Sequence, residues 1–173
     1  MEKKVNAYGG KPTCYVLIGP PGCGKSTWVK EHLKTACNPT HIASTDNIIE
    51  EIAASRSLTY SDVFKTSFKE ADQRFKAELF EAARDNYDII VDRTNMGAKA
   101  RAKIGAWITS HTATPYRMVG VLFEWREDVL RERLERRAHA TGKDISWGVV
   151  EGMLETYAEP TRDEFDLLTV VKL

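Results

Sequence analysis

Gly19-Pro20-Pro21-Gly22-Cys23-Gly24-Lys25-Ser26-Thr27 follows the apolar run Cys14-Tyr15-Val16-Leu17-Ile18 and opens a helix-like stretch over 26–35. The pattern is G-x-x-x-x-G-K-[ST], in the setting it requires, with a strand before it and a helix after it. Glycines such as Gly22 and Gly24 let successive backbone N–H groups face oxygens without a Cβ in the way. The following helix adds its positive end to the anion site. Lys25 can reach the β and γ phosphates, and the Ser26 hydroxyl can ligate Mg²⁺. Cys23 is expected to offer its backbone N–H, and Thr27 to cap the loop or touch a phosphate. An N-K-x-D-like element for guanine is missing, so ATP is the expected nucleotide. The motif predicts triphosphate binding more firmly than any one reaction, because kinases, ATPases and GTPases share it.

Outward from the loop, strands and helices alternate. Strands are predicted over 14–18, 40–44, 87–92, 116–123 and 165–171, and helices over 26–35, 48–54, 61–86, 98–110, 126–139 and about 145–157. Such alternation predicts an α/β fold, an open parallel sheet with helices on both faces. In the helix over 61–86, Phe64, Phe68, Phe75, Leu79 and Ala82 recur at helical spacings. The simple reading is core; the sharper one is a platform on which bases stack.

The chain has 173 residues, 42% apolar and 29% charged, with zero formal net charge. That size suits one domain with a full core, here 12–173 after a flexible segment 1–11. No apolar run reaches membrane-spanning length. The polar start lacks the apolar stretch of a signal peptide, so a cytoplasmic protein is expected. Zero net charge argues against a protein that coats long duplex DNA, but not against one with a local basic cleft. Cys14, Cys23 and Cys37 have no metal-like spacing and read as reduced, inert thiols.

Two acids stand where parallel strands end, the edge that faces a ligand in such sheets. Asp46 follows the second strand. It can take the proton of an acceptor alcohol during phosphoryl transfer, or it can simply cap the next helix. Asp92, after Ile89-Ile90-Val91, is placed to bind Mg²⁺ directly or through water. Arg93 could grip an acceptor phosphate with its planar guanidinium, or pair structurally with Asp46 or Asp92. Thr94 and Asn95 either shape the crevice or touch substrate. Lys99 and Arg101 read as a solvated face first and an acceptor-strand contact second. Arg126, Arg131, Arg133, Arg136 and Arg137 alternate with acids, as in an exposed helix laced with ion pairs. Arg133 and Arg137 share one face of it.

Together, Gly19 to Trp28, Ser44-Thr45-Asp46, Asp92-Arg93-Thr94-Asn95 and the arginine-rich helix resemble the kinase domain of 5′-hydroxyl polynucleotide kinases of the bacteriophage and bacterial repair type. These belong to the small P-loop kinases, and the likeness runs from about Pro12 to Val171. The resemblance implies a P-loop NTPase/kinase fold with an arginine-bearing lid. It implies transfer of the γ-phosphate of ATP, with Mg²⁺, to a 5′-hydroxyl end of DNA or RNA. Lys25 and Ser26 would hold phosphates and metal, and Asp46 would be the general base. Arg133 and Arg137 would stabilise charge on the transferred group, with 138–144 as a mobile lid loop. The chain departs from the family in one place: Asn47-Ile48-Ile49 follows Asp46, with no arginine until Arg56. That leaves a kinase of a small alcohol, such as a nucleoside, sugar or antibiotic, as the alternative. The phage enzyme's phosphatase domain has no counterpart here, so a homo-oligomer or a separate phosphatase or ligase partner is the expected company.

Overall fold

The protein is seen in a computed structural model that describes residues 10–173, and residues 1–9 of the expected flexible segment lie outside the described residues. Five strands form one sheet: β1 (Thr13–Ile18), β2 (Thr40–Ala43), β3 (Asp88–Val91), β4 (Arg117–Phe123) and β5 (Leu167–Val171). Their order is β2-β3-β1-β4-β5, and every pairing is parallel. The helices are α1 (Lys25–Thr35), α2 (Thr45–Ser55), α3 (Tyr60–Arg84), α4 (Ala98–His111), α5 (Glu127–Thr141) and α6 (Trp147–Glu155). A single 3₁₀ turn, Arg162–Glu164, precedes β5; no periodicity in the sequence foretells it. Among the described residues no helix is long and apolar enough to cross a membrane.

The central strands explain themselves. All four residues of β3 are buried, as a strand covered on both faces requires. In β1, Cys14, Val16 and Ile18 join one core cluster with Ile48, Ile49, Phe75, Leu79 and Ile104, from α2, α3 and α4. Leu17 faces the opposite cluster, with Val29 of α1, Phe123 of β4 and Leu130 of α5. The period of two along β1 thus feeds two cores.

Because all strands run one way, their C-terminal ends share one edge. That edge gathers the loop from Gly19, the start of α2 at Asp46, and the segment from Asp92 to Asn95. Backbone bonds lock the three together: Gly19 N–H donates to the Thr94 carbonyl at 3.0 Å and Asp92 N–H to the Ala43 carbonyl at 2.9 Å.

Arg101 departs from both expectations for it. It is neither a solvated face nor an acceptor contact, being only 3% exposed. Its Nε and Nη2 grip the Glu164 carboxylate at 2.7 and 2.9 Å. Its Nη1 donates to the carbonyls of Asn95, Met96 and Ala158. One guanidinium therefore ties α4, the loop after β3, the segment after α6 and the 3₁₀ turn. Arg101→Ala removes a donor from each of these carbonyls and leaves Glu164 with Thr161 N–H but no charge partner, and Met96 with Ala158 N–H. The expected loss is about 3–5 kcal/mol, typical of breaking a buried pair, read as a lower urea midpoint. A midpoint near that of the wild type would mean the cluster repairs itself with solvent.

Candidate active site

The loop after β1 is shaped by its glycines. Gly22 and Gly24 sit at φ +85° and +108°, where side chains other than glycine are strained. At Gly19 a Cβ would lie 2.6 Å from the Cys23 sulfur, so the turn closes only over glycine. The Cys23 side chain is buried, and burial raises its thiol pKa first, with Lys25 opposing. Its N–H turns towards the Pro20 carbonyl at 3.4 Å. The Lys25 ammonium spans the loop, donating to the Gly19 and Pro20 carbonyls at 2.8 Å each. Ser26 and Thr27 are exposed. No side chain caps α1 at Gly24, which leaves first-turn N–H groups facing outward for an anion.

Asp46 lies in the first turn of α2, not before the helix as the sequence pattern suggests. The cap is Ser44, whose Oγ accepts from Asn47 N–H at 3.3 Å. Asp46 is therefore held for another purpose. Its Oδ1 accepts from the Tyr60 hydroxyl at 2.9 Å and its Oδ2 from Lys143 Nζ at 2.8 Å. Each oxygen keeps a second lone pair for a further donor.

Lys143 is a site residue that the sequence does not single out; it falls within the expected mobile loop. Instead α5 continues to Thr141, Gly142 ends it with φ +69°, and Lys143 turns inward, 7% exposed. Its ammonium also donates to Glu50 Oε1 at 2.9 Å and stands 4.1 Å from the Tyr60 ring centre. The one local signal for it is Gly142, a helix stop that redirects the chain.

Burial pushes the Asp46 carboxyl up. The Lys143 charge and the bonds from Lys143 and Tyr60 outweigh it, with help from the Arg137 charge, and hold it below the ordinary carboxylate range. Asp46 thus stays ionised as pH falls, to a lower pH than an unpaired aspartate. Lys143→Met removes the leading source of that depression and leaves the burial. The acid limb of kcat/KM is expected to move to higher pH; an unmoved limb would assign it to another group.

Asp92 is half-buried, and burial raises its carboxyl, with Lys25 opposing and Asp46 adding to the rise. A carboxylate disfavoured by burial gains from a cation, and hard oxygen donors suit Mg²⁺. Asp92 and the exposed Ser26 hydroxyl fit that ion. Among the described residues no group of three or more His, Cys, Asp or Glu could hold a metal without further ligands. Asn95 corrects its expected substrate contact: it is 5% exposed, at φ +46°. Its amide donates to the Leu17 carbonyl at 2.7 Å, stitching the ends of β1 and β3. Asparagine tolerates that left-handed backbone better than most residues. Thr94, half-buried, supports the phosphate loop through its carbonyl.

Arg93 is also placed differently from either expectation. Its pair is with Asp72 of α3 at 3.1 Å, not with Asp46 or Asp92. The guanidinium lies 4.8 Å from the Phe75 ring centre. Held on α3 by a charge and a ring, it is not a loose clamp for an acceptor phosphate.

The helix α5 seats itself on the loop. Leu130 and Leu134 pack within 3.5 Å of where a Gly22 Cβ would stand, and Arg133 Nη1 donates to the Gly22 carbonyl at 3.1 Å. Arg126 and Arg136 pair with Asp128 and Glu132 in the open, and Arg131 stacks on Trp147. Arg137 differs from all of these. Its Nε and Nη2 are buried with no hydrogen-bond partner among the described residues, and its charge acts on both Asp46 and Tyr60. Buried donors of this kind are rare and call for an explanation; phosphate oxygens would supply one.

Solved structures share this architecture. A protein of Chloroflexus aurantiacus J-10-fl, described only provisionally as a kinase, matches with TM-score 0.71 and 14% identity, covering 94% of this chain and 89% of that one. A gluconokinase from Sinorhizobium meliloti 1021 matches with TM-score 0.55 and 19% identity, over 94% and 83%. A chain of the Pnkp1/Rnl/Hen1 complex matches with TM-score 0.56 and 19% identity, over 74% of this chain but 40% of that one. At such identities the likeness carries the fold alone, that of small P-loop kinases. Residues 15–160 match the AAA_33 family, described as an AAA domain, and the chain belongs to that family.

Proposed function

We propose that this chain transfers the γ-phosphate of ATP to the 5′-hydroxyl end of DNA or RNA. The observation that carries the alcohol acceptor is Asp46. Ser44 caps α2, so the Asp46 carboxylate is free of that duty. It lies at the sheet edge that bears Lys25 and Asp92, whose own carboxyl it raises. The motif order from Gly19 to Arg137, and its resemblance to polynucleotide kinases, support the polynucleotide end as that acceptor.

In the reaction the acceptor oxygen bonds to the γ-phosphorus as the bond to the bridging oxygen of ADP breaks. ADP leaves with the electron pair, and the alcohol proton passes to Asp46. Asp46 first orients the hydroxyl and receives its proton late, which suits a carboxylate of depressed pKa in a loose transition state. Lys25 and the N-terminus of α1 hold the phosphates. Arg137 meets the charge of the transferred group, and α5 excludes water from above the loop. Ser26 and Asp92 would hold Mg²⁺, which would supply charge neutralisation at the phosphates when bound.

A small-alcohol acceptor is the second reading. Arg56, the first arginine after Asp46, is engaged by Ser67 and Glu70, and Arg93 by Asp72. That pairing of both arginines favours an acceptor without a phosphate to grip, and a gluconokinase and a shikimate kinase share the fold. The test is γ-labelled ATP offered with 5′-hydroxyl DNA and RNA oligonucleotides and with nucleoside, sugar and antibiotic alcohols. Label on oligonucleotide 5′ ends is expected. Label on a small alcohol alone supports the second reading, and phosphate release without any acceptor points to a nucleotide-driven regulator.

A further inference from the structure

The core stripe of α3 comprises Val63, Ser67, Ala71, Phe75, Leu79 and Ala82, all buried. Phe64 and Phe68 lie one position beyond that stripe, and both are exposed, at 37% and 41%. The core reading therefore holds for Phe75 and Leu79 and fails for these two. They are not scattered. The Tyr60 and Phe64 rings are 5.5 Å apart and the Phe64 and Phe68 rings 5.7 Å apart. The first of the three rings carries the hydroxyl that bonds Asp46. A contiguous exposed patch that begins at a reacting carboxylate is a binding surface more readily than a packing residue.

The charges around it select a partner. Asp62 is engaged by Thr59, Glu70 by Arg56 and Glu50 by Lys143. Lys65 and Lys69, each next to a phenylalanine, are exposed and make no ion pair among the described residues. Two unpaired cations thus stand beside Phe64 and Phe68, with Asp62, whose bonds to the neutral Thr59 leave its charge in place, as the one unpaired acid of that stretch. Rings in a row with cations alongside match the faces and phosphodiesters of single-stranded nucleic acid, where stacking tolerates any sequence.

We propose that Tyr60, Phe64 and Phe68 form a stacking track that takes the first bases of a single-stranded acceptor and leads its 5′ end to Asp46. This rests on the polynucleotide reading above and adds a surface to it. Phe64 and Phe68 do not touch the reacting atoms, so their truncation should leave the chemical step intact.

The test compares wild type with Phe64→Ala/Phe68→Ala and Phe64→Tyr/Phe68→Tyr. Anisotropy of a 3′-fluorescein, 5′-hydroxyl single-stranded oligonucleotide reads binding directly. The alanine pair is expected to bind about tenfold more weakly or worse. The tyrosine pair, which keeps the ring faces, should bind as wild type does. KM for oligonucleotides should rise with kcat and the ATP KM unchanged. If the alanine pair binds and turns over oligonucleotides normally, the track is wrong while the polynucleotide reading stands. Ring-dependent binding with label passing only to small alcohols would keep the rings as a binding surface and remove the polynucleotide acceptor. No oligonucleotide binding by wild type, or a dimer in sedimentation that the alanine pair dissociates without changing oligonucleotide binding, would overturn the track, the latter in favour of a second copy.

Discussion

Arg137→Ala is expected to lower kcat by about 10³-fold, the scale at which an arginine stabilises phosphoryl transfer, while ATP affinity stays within a few-fold. The reason is the state of the side chain. Its Nε and Nη2 are out of water and bonded to nothing among the described residues. An arrangement like that costs stability in the folded chain, so it persists only where something else gains from it. Its charge reaches Asp46 and Tyr60, which puts the guanidinium on the acceptor side of the phosphate loop. Contact there strengthens as charge develops on the moving group, so it affects turnover more than nucleotide binding. Stability gives a second readout. Removing unpaired buried donors should leave the urea midpoint unchanged or raise it, the pattern expected where function is kept against stability. Arg137→Lys should not restore turnover, because an ammonium cannot offer the forked pair of donors. Loss of stability together with unchanged kcat would make Arg137 a packing residue.

The same side chains show what a sequence can disclose. The central strands and the long helix are legible because burial imposes a local period on them: Ile89-Ile90-Val91 is buried throughout, and Phe75, Leu79 and Ala82 repeat along α3, whereas β5 at the sheet edge has no buried residue. The phosphate loop is legible because its chemistry is contiguous. What escapes depends on pairing across distance. Asp46 and Lys143 are 97 residues apart, and no local pattern distinguishes a lysine bound for a carboxylate from one bound for solvent. Arg101 looks solvated because a helix with Lys99 and Lys103 around it reads as a basic face, yet Glu164 is 63 residues away. Arg93 takes Asp72 of α3, 21 residues back in the chain, as its partner: Asp92 adjoins it in sequence and Asp46 follows a neighbouring strand, so both draw the expectation, and neither is the acid it meets. Phe64 and Phe68 share the composition of the core stripe, and only the offset of one residue places them outside it.

Asp46→Asn separates the two roles that sequence leaves open for this residue. Asparagine keeps the size and one acceptor oxygen, and it loses the charge and the basicity. Helix α2 should not notice, because Ser44 Oγ still accepts from Asn47 N–H. The amide cannot satisfy both of its neighbours, since Tyr60 and Lys143 each donate to an oxygen of Asp46 and an amide nitrogen cannot accept. Lys143 retains Glu50 at 2.9 Å, so its charge is not stranded. The expected result is a folded protein that binds ATP normally and transfers phosphate about 10²-fold more slowly or worse, the usual worth of a positioned base. Ser44→Ala is the matching control. It removes the actual cap, so it should cost about 1 kcal/mol of stability and leave kcat near that of wild type. Crossed outcomes are the informative ones. If Asp46→Asn turned over within a few-fold of wild type, the alcohol proton would leave by another route, and the bonds from Tyr60 and Lys143 would serve only to fasten the end of α5 over the site.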